Sequence, residues 1–173
     1  MTNISNDFKL RIATEQDIPM IWPIIQQAIL RRKNDGSNQW QDGYPNSETI
    51  MNDIKKQVGF VGVKNHEIIA YVAIDSAIEP AYEEIEGKWL SDLPYVVIHR
   101  VAVSENQLGQ GIATKIFYEV EKIALDQNIK SLKVDTNYDN VGMLKILEKI
   151  NYTYCGEVYF RGSPRRAFEK LLK

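Results

Sequence analysis

The chain has 173 residues, is 44% hydrophobic and 25% charged, and carries a net charge of −2. That balance suits one globular domain and excludes a disordered, collagen-like or strongly basic nucleic-acid-binding chain. Its longest apolar run, residues 68–74, is far short of the ~20 residues a membrane helix needs, and one cysteine beside two histidines permits neither an internal disulfide nor a zinc cluster.

The first residues lack the basic cap and apolar stretch of a secretory signal. We therefore expect a cytoplasmic protein, with a loose tail over residues 1–7 and a single domain over residues 8–173. Residues 8–13 alternate Phe8, Leu10 and Ile12 with Lys9 and Arg11, the period of a half-buried strand. A helix follows from the acid-rich Thr14, Glu15 and Asp17, with Ile18, Ile21, Trp22, Ile25 and Ile29 at helical spacing up to the polar stop at residues 31–36. Ser47 is expected to cap a second helix over residues 48–57. The loop between the two helices contains Trp40, Asp42, Gly43, Tyr44 and Pro45.

Residues 60–63 and 67–74 are β-rich and flank Lys64, Asn65 and His66, the pattern of an antiparallel hairpin. Residues 79–94 break that pattern with two prolines and an acidic cluster, Glu83, Glu84 and Glu86, and are expected to leave the sheet. Residues 95–103 form a strong strand. From Gly111 to Asn128 the apolar positions Ile112, Ile116, Phe117, Val120, Ile123 and Ala124 mark an amphipathic helix. Residues 131–136 read as a strand, 140–150 as a helix, and 153–160 and 165–172 as two closing strands. Antiparallel strands feeding a β-α-β unit predict an α/β (α+β) fold, with a mixed sheet and helices on both faces. Cys155 is expected to be a small buried hydrophobe.

Charge is divided unevenly. Residues 1–87 hold 8 basic and 13 acidic groups, residues 88–173 hold 13 and 10, so an anionic ligand favours the second half. Its most informative stretch is the strand end Val101, Ala102, Val103, followed by Leu108, Gly109, Gln110, Gly111, Ile112, Ala113 and Thr114. Glycines permit positive φ, and the first N–H groups of a helix lack internal acceptors, which suits phosphate. A phosphate-binding P-loop is never completed after Gly109. A dinucleotide fingerprint keeps Gly109, Gly111 and Asp135 but has Thr114 at its third glycine. A calcium loop from Asp135 fails at Asn140 and Ile146.

These residues resemble the Gcn5-related N-acetyltransferase (GNAT) family over nearly the whole chain. Gly111 and Ala113 match the last fixed positions of the family's Arg/Gln-x-x-Gly-x-Gly/Ala motif, with Leu108 at the Arg/Gln position and Gln107 as its neighbour. Asn140, Met143, Leu147, Lys149, Asn151 and Tyr152 answer the second motif. Asn140 also reads as a helix N-cap. The resemblance implies a mostly antiparallel seven-stranded sheet whose fourth and fifth strands splay. It further implies acetyl transfer from acetyl-CoA to a primary amine of a small molecule or peptide, by direct attack in a ternary complex, without metal.

Cofactor contacts implied by the resemblance are Val101, Val103, Leu108, Gly109, Gln110, Gly111, Ile112, Ala113, Thr114, Asn137 and Asn140. The acceptor would meet Trp40, Tyr44 and Tyr159. Arg161, Arg165 and Arg166 either contact an acceptor carboxylate or cover an edge strand. The family's usual glutamate base and tyrosine acid fall on Val97 and Leu147, which cannot serve. His99, on the face of Val97, is the candidate base, and Tyr138, Tyr152 and Tyr159 are candidate acids by type. No nucleic-acid or membrane partner is expected, and a homodimer is compatible with this reading. A degenerate acyl-CoA sensor and a nicotinamide-dependent enzyme are the alternatives.

Overall fold

Mostly buried runs of apolar and β-branched residues build the central strands β3, β5 and β6 of the computed structural model, which describes residues 7–173. Residues 1–6 of the tail expected over residues 1–7 lie outside the described residues. The strands are β1 (Lys9–Ile12), β2 (Gly59–Lys64), β3 (Glu67–Asp75), β4 (Glu86–Gly87), β5 (Tyr95–Val103), β6 (Ser131–Thr136), β7 (Thr153–Phe160) and β8 (Ser163–Leu171). The helices are α1 (Ile18–Asn34), α2 (Ser47–Lys55), α3 (Pro80–Glu83), α4 (Ile112–Asp126) and α5 (Val141–Lys149). Hydrogen-bonded neighbours follow the order β1-β2-β3-β5-β6-β8-β7-β4, an eight-stranded sheet in which β5 and β6 are parallel. Among the described residues no helix is long and apolar enough to cross a membrane.

The eighth strand corrects the expected seven. β4 pairs antiparallel with β7, Glu86 to Glu157 and Gly87 to Gly156, inside the segment expected to leave the sheet. Glycine is required at both crossing positions. A Cβ on Gly87 would sit 2.1 Å from the Cys155 carbonyl oxygen, and one on Gly156 would sit 2.2 Å from that of Glu86. Backbone contact, with no apolar period, makes this strand.

The chain divides into two compact units. One contains the residues up to Ala73 together with Arg100–Glu119, and the other contains Ile74–His99 and Val120–Lys173. In the first, β1, β2 and β3 are antiparallel, and Gly62 leaves room for the Phe8 ring, which a Cβ would meet at 2.7 Å. Ile21, Ile24, Ile25 and Ala28 of α1 pack with Ile50, Ile54, Val61 and Tyr71. Each large aliphatic buried there contributes about 1.5–3 kcal/mol. α2 begins one residue earlier than expected because Asn46, not Ser47, is its cap, its Oδ1 accepting from the Thr49 N–H at 2.9 Å.

An acid clamp opens α1. Arg11 donates to both Asp17 oxygens at 2.8 and 2.9 Å, and the Thr14 N–H adds a third bond at 2.8 Å. The Arg11 hydrogen bonds are the main cause that lowers the Asp17 carboxyl to about 2, burial opposing them. A depressed carboxyl pKa stabilises the fold above its unfolded value, and that stability is lost as pH falls from about 4 to about 2. Arg11 is half exposed, so solvent screening limits the contribution to ~1–2 kcal/mol. Denaturant midpoints measured at pH 5 and pH 2.5 should therefore converge in Asp17→Asn relative to the parent protein.

In the second unit, Tyr82, Tyr95, Val97, Val158 and Ala167 form the core, with Trp89 and Phe160 against it. Glu169, fully buried, accepts from Leu90 N–H, Ser91 Oγ and Ser131 Oγ, each at 2.7 Å. Beside them the Lys133 ammonium lies 3.9 Å from the Tyr95 ring centre and 4.2 Å from that of Trp89, and burial lowers its pKa. Cys155 is buried, as expected of a small hydrophobe, and burial raises its thiol pKa.

Candidate active site

The glycine-rich turn has the geometry its sequence predicts. Gly109 and Gly111 adopt φ of +76° and +74°, and a Cβ on either would meet nothing within 4 Å. The turn is left-handed and open, so these glycines serve conformation and access, not packing. It leads directly into α4, whose first closing bond runs from Lys115 N–H to the Gly111 carbonyl. Helix geometry leaves the N–H groups of Ile112, Ala113 and Thr114 without an intrahelical acceptor. The Ile112 side chain is buried, anchoring the turn, while Leu108, Gly109, Gln110 and Gly111 are exposed. Gln110 Oε1 accepts from Lys64 Nζ at 3.5 Å. Gln107 presents nothing outward by its Oε1, which is buried without a partner.

Upstream, β5 pairs with β6 over residues 95–98 against 131–134 and then runs five residues further, to Val103. Arg100, two residues past the last pair, has φ of +55°, uncommon for a residue with a Cβ. Its side chain is held by two partners. Nε and Nη2 donate to the two Asp53 oxygens at 2.9 and 2.6 Å, and Nη1 donates to the Tyr44 hydroxyl at 2.6 Å. Tyr71 adds its hydroxyl to Asp53 Oδ2 at 2.6 Å. Val101 is half-buried and Val103 is buried, its carbonyl already accepting from Arg31 Nη2 at 3.1 Å.

The first unit thus contains Val101, Val103, the 108–114 turn, Trp40 and Tyr44. Trp40, at φ of +62°, lines a cavity of about 330 Å³ with Trp22, Ile29, Gly43 and Pro45. Tyr44 is not in that lining but is bound to Arg100. The second unit contains His99, Asn137, Asn140 and Tyr159. His99 Nε2 lies 3.8 Å from Glu79 Oε2. Asn137 is buried, donating to Asp139 and accepting from Arg165 Nη1 at 2.8 Å. Asn140 caps α5, accepting from the Met143 N–H at 3.3 Å. Tyr159 is exposed and donates to Glu86 Oε2 at 2.9 Å.

Val97 and Leu147 are fully buried apolar residues. Of the tyrosines considered as acids, Tyr138 is exposed, and Tyr152 is buried, which pushes its phenol well up. Sequence reasoning missed Arg100, Asp53 and the bond from Tyr82 to Asp135. Asp53 was the most visible of them: it lies on the face of α2 that buries Ile50 and Ile54. An acid on an apolar helix face requires a buried partner.

The Acetyltransferase (GNAT) family model matches residues 25–152. An acetyltransferase of the GNAT family from Streptococcus agalactiae 2603 is 34% identical, with 96% of each chain covered and a TM-score of 0.89. Another from Listeria monocytogenes 4b F2365 is 17% identical over 95% of each chain, with a TM-score of 0.76. AAC(6')-Ib, solved with ribostamycin and coenzyme A, is 18% identical over 96% of this chain and 94% of its own, with a TM-score of 0.71. No curated protein matches the chain. The chain belongs to the GNAT acetyltransferase family.

Proposed function

We propose that the protein transfers the acetyl group of acetyl-CoA to a primary amine of a small molecule or peptide, by direct attack in a ternary complex within one domain over residues 8–173. The observation that carries this reading is the open, left-handed Gly109–Gly111 turn at the head of α4. The turn fits a diphosphate: no side chain obstructs it, the N–H groups of residues 112–114 supply donors, and the positive end of the helix dipole adds attraction. Leu108 and Gln110 flank that turn, and Asn137 and Asn140 are proposed as cofactor contacts. Main-chain groups of Val101 and Val103 are proposed to hold the pantetheine arm. The Val103 carbonyl already accepts from Arg31 Nη2.

When bound, acetyl-CoA supplies the activated acyl group. The residues of this chain orient it and manage the proton. An alkylammonium of pKa ~10.4 must lose its proton before attack, a cost of roughly 4–5 kcal/mol at pH 7. Val97 supplies no base, so His99 or another group at the same strand ends must do so. For the acceptor, Trp40 with its cavity, Tyr44 and Tyr159 are the proposed walls. The ribostamycin complex of AAC(6')-Ib supports including aminoglycosides among the amines tested.

The test is thiol release from acetyl-CoA with polyamines, amino acids, aminoglycosides and peptide N-termini, run beside calorimetry with coenzyme A. Turnover with any amine class supports transfer. Tight binding of coenzyme A without product from the whole panel identifies an acyl-CoA sensor instead, as the buried Val97 and Leu147 favour. Thermal protection by a nicotinamide dinucleotide and none by acetyl-CoA overturns both readings.

A further inference from the structure

We propose that Asp135, positioned by Tyr82, accepts the proton that the acceptor amine sheds as it attacks the acetyl carbon; the inference rests on the acetyl-transfer reading above. Asp135 is the first β6 residue beyond the last parallel pair, Ile98 with Val134. Alternation puts it on the face of Lys133, whose ammonium packs on Trp89 and Tyr95. On β5 the same core face holds Tyr95 and Val97, and His99 follows by alternation. Asp135 is thus an acid on the strand next to β5, at the end where the parallel pair stops.

Its surroundings suit a proton acceptor. Tyr82 is buried and donates its hydroxyl to Asp135 Oδ2 at 2.6 Å. Burial pushes the Tyr82 phenol well up, so it acts as a donor and leaves Oδ1 for another proton. Unlike Val134 and Thr136 on either side, Asp135 retains some accessible surface. The charged groups facing it are Arg165 from β8 and Glu79 from the segment before α3, the latter 3.8 Å from His99 Nε2. Burial pushes the Asp135 carboxyl up to about 6, with Glu79 adding to the rise and Tyr82 and Arg165 opposing it. A base whose pKa lies near the working pH is the most efficient.

In the step, the amine nitrogen forms the C–N bond with the acetyl carbon and loses a proton to the Asp135 carboxylate. The C–S bond breaks, its electron pair leaves on sulfur, and the thiolate takes up one proton from solvent as Asp135 returns one to it. Asp135 is the catalytic residue and Tyr82 a positioning residue.

The experiment measures kcat and kcat/KM from pH 5 to 9 for the parent protein, Asp135→Asn, Tyr82→Phe and His99→Gln, with coenzyme A affinity and thermal unfolding alongside. Asparagine still accepts the Tyr82 hydrogen bond and introduces no buried charge, so Asp135→Asn should fold and bind coenzyme A within about 2-fold of the parent. Its kcat should fall about 100-fold or more, and the acid limb near pH 6 should vanish. Tyr82→Phe should retain the limb but move it to higher pH, because the carboxylate loses a donor. His99→Gln should leave the limb in place. Parental kcat and an intact limb in Asp135→Asn overturn the inference alone, as does a limb that disappears with His99. A parent that binds coenzyme A but acetylates no amine overturns the transfer reading and this inference with it.

Discussion

Asp53→Ala is expected to destabilise the protein by about 3–5 kcal/mol, because it leaves a guanidinium only 12% exposed without its carboxylate. Asp53 is buried and receives three side-chain donors, two from Arg100 and one from Tyr71. Alanine removes all three acceptor contacts at once. The Tyr71 hydroxyl is enclosed as well: a Cβ on Gly59 would stand 2.8 Å from it, so the phenol has little room to turn elsewhere. The penalty is therefore expected in full. For a chain of this length it corresponds to a drop of roughly 6–20 °C in the unfolding midpoint. A loss below about 1 kcal/mol in a denaturant titration would show that the cluster behaves like an exposed ion pair.

The same variant should affect function through geometry. Arg100 holds its left-handed backbone inside β5 by donating to Asp53, and its remaining Nη1 fixes the Tyr44 hydroxyl of the loop between α1 and α2. Freed from Asp53, Arg100 can relax toward extended backbone. Val101 then changes its presentation, and Tyr44 loses its anchor. Arg100→Lys is the milder companion, since lysine keeps the charge but cannot fork onto a carboxylate while also reaching a phenol.

These linkages explain what the sequence reveals and what it hides. Strands 95–103, 131–136 and 153–160 have the bounds the sequence predicts because their β-branched and aromatic residues favour extended backbone locally. The Gly109 and Gly111 conformations were legible for a similar reason: a strand running into glycines and then an amphipathic helix constrains its own turn. β4 left no period to read, because two residues facing a backbone need only the absence of a Cβ. The choice of Asn46 over Ser47 as cap was hidden because both side chains can cap and the position of the first helical turn decides between them. Arg100 with Asp53 and Tyr82 with Asp135 join residues 47 and 53 positions apart. Such pairs have no local signature beyond a polar residue where an apolar one is expected.

Gly111→Asp should weaken coenzyme A binding far more than Gly111→Asn, and that difference isolates the electrostatic claim on which the proposed function rests. The two side chains share a shape, both tolerate positive φ better than other residues with a Cβ, and both project into open space. Any conformational penalty therefore cancels between them. Only the charge differs. A carboxylate about 5 Å from a singly charged phosphate oxygen costs ~3.3 kcal/mol at an effective dielectric near 20, or about 250-fold in affinity. The same charge at the head of α4 favours the helix by about 0.3–1 kcal/mol, so Gly111→Asp should be at least as stable as Gly111→Asn while binding worse. Stability and affinity moving in opposite directions separates a phosphate cradle from a turn that merely needs glycine. Raising ionic strength should narrow the affinity gap between the two variants, and equal affinities in calorimetry at low salt would remove residues 109–114 from the cofactor site.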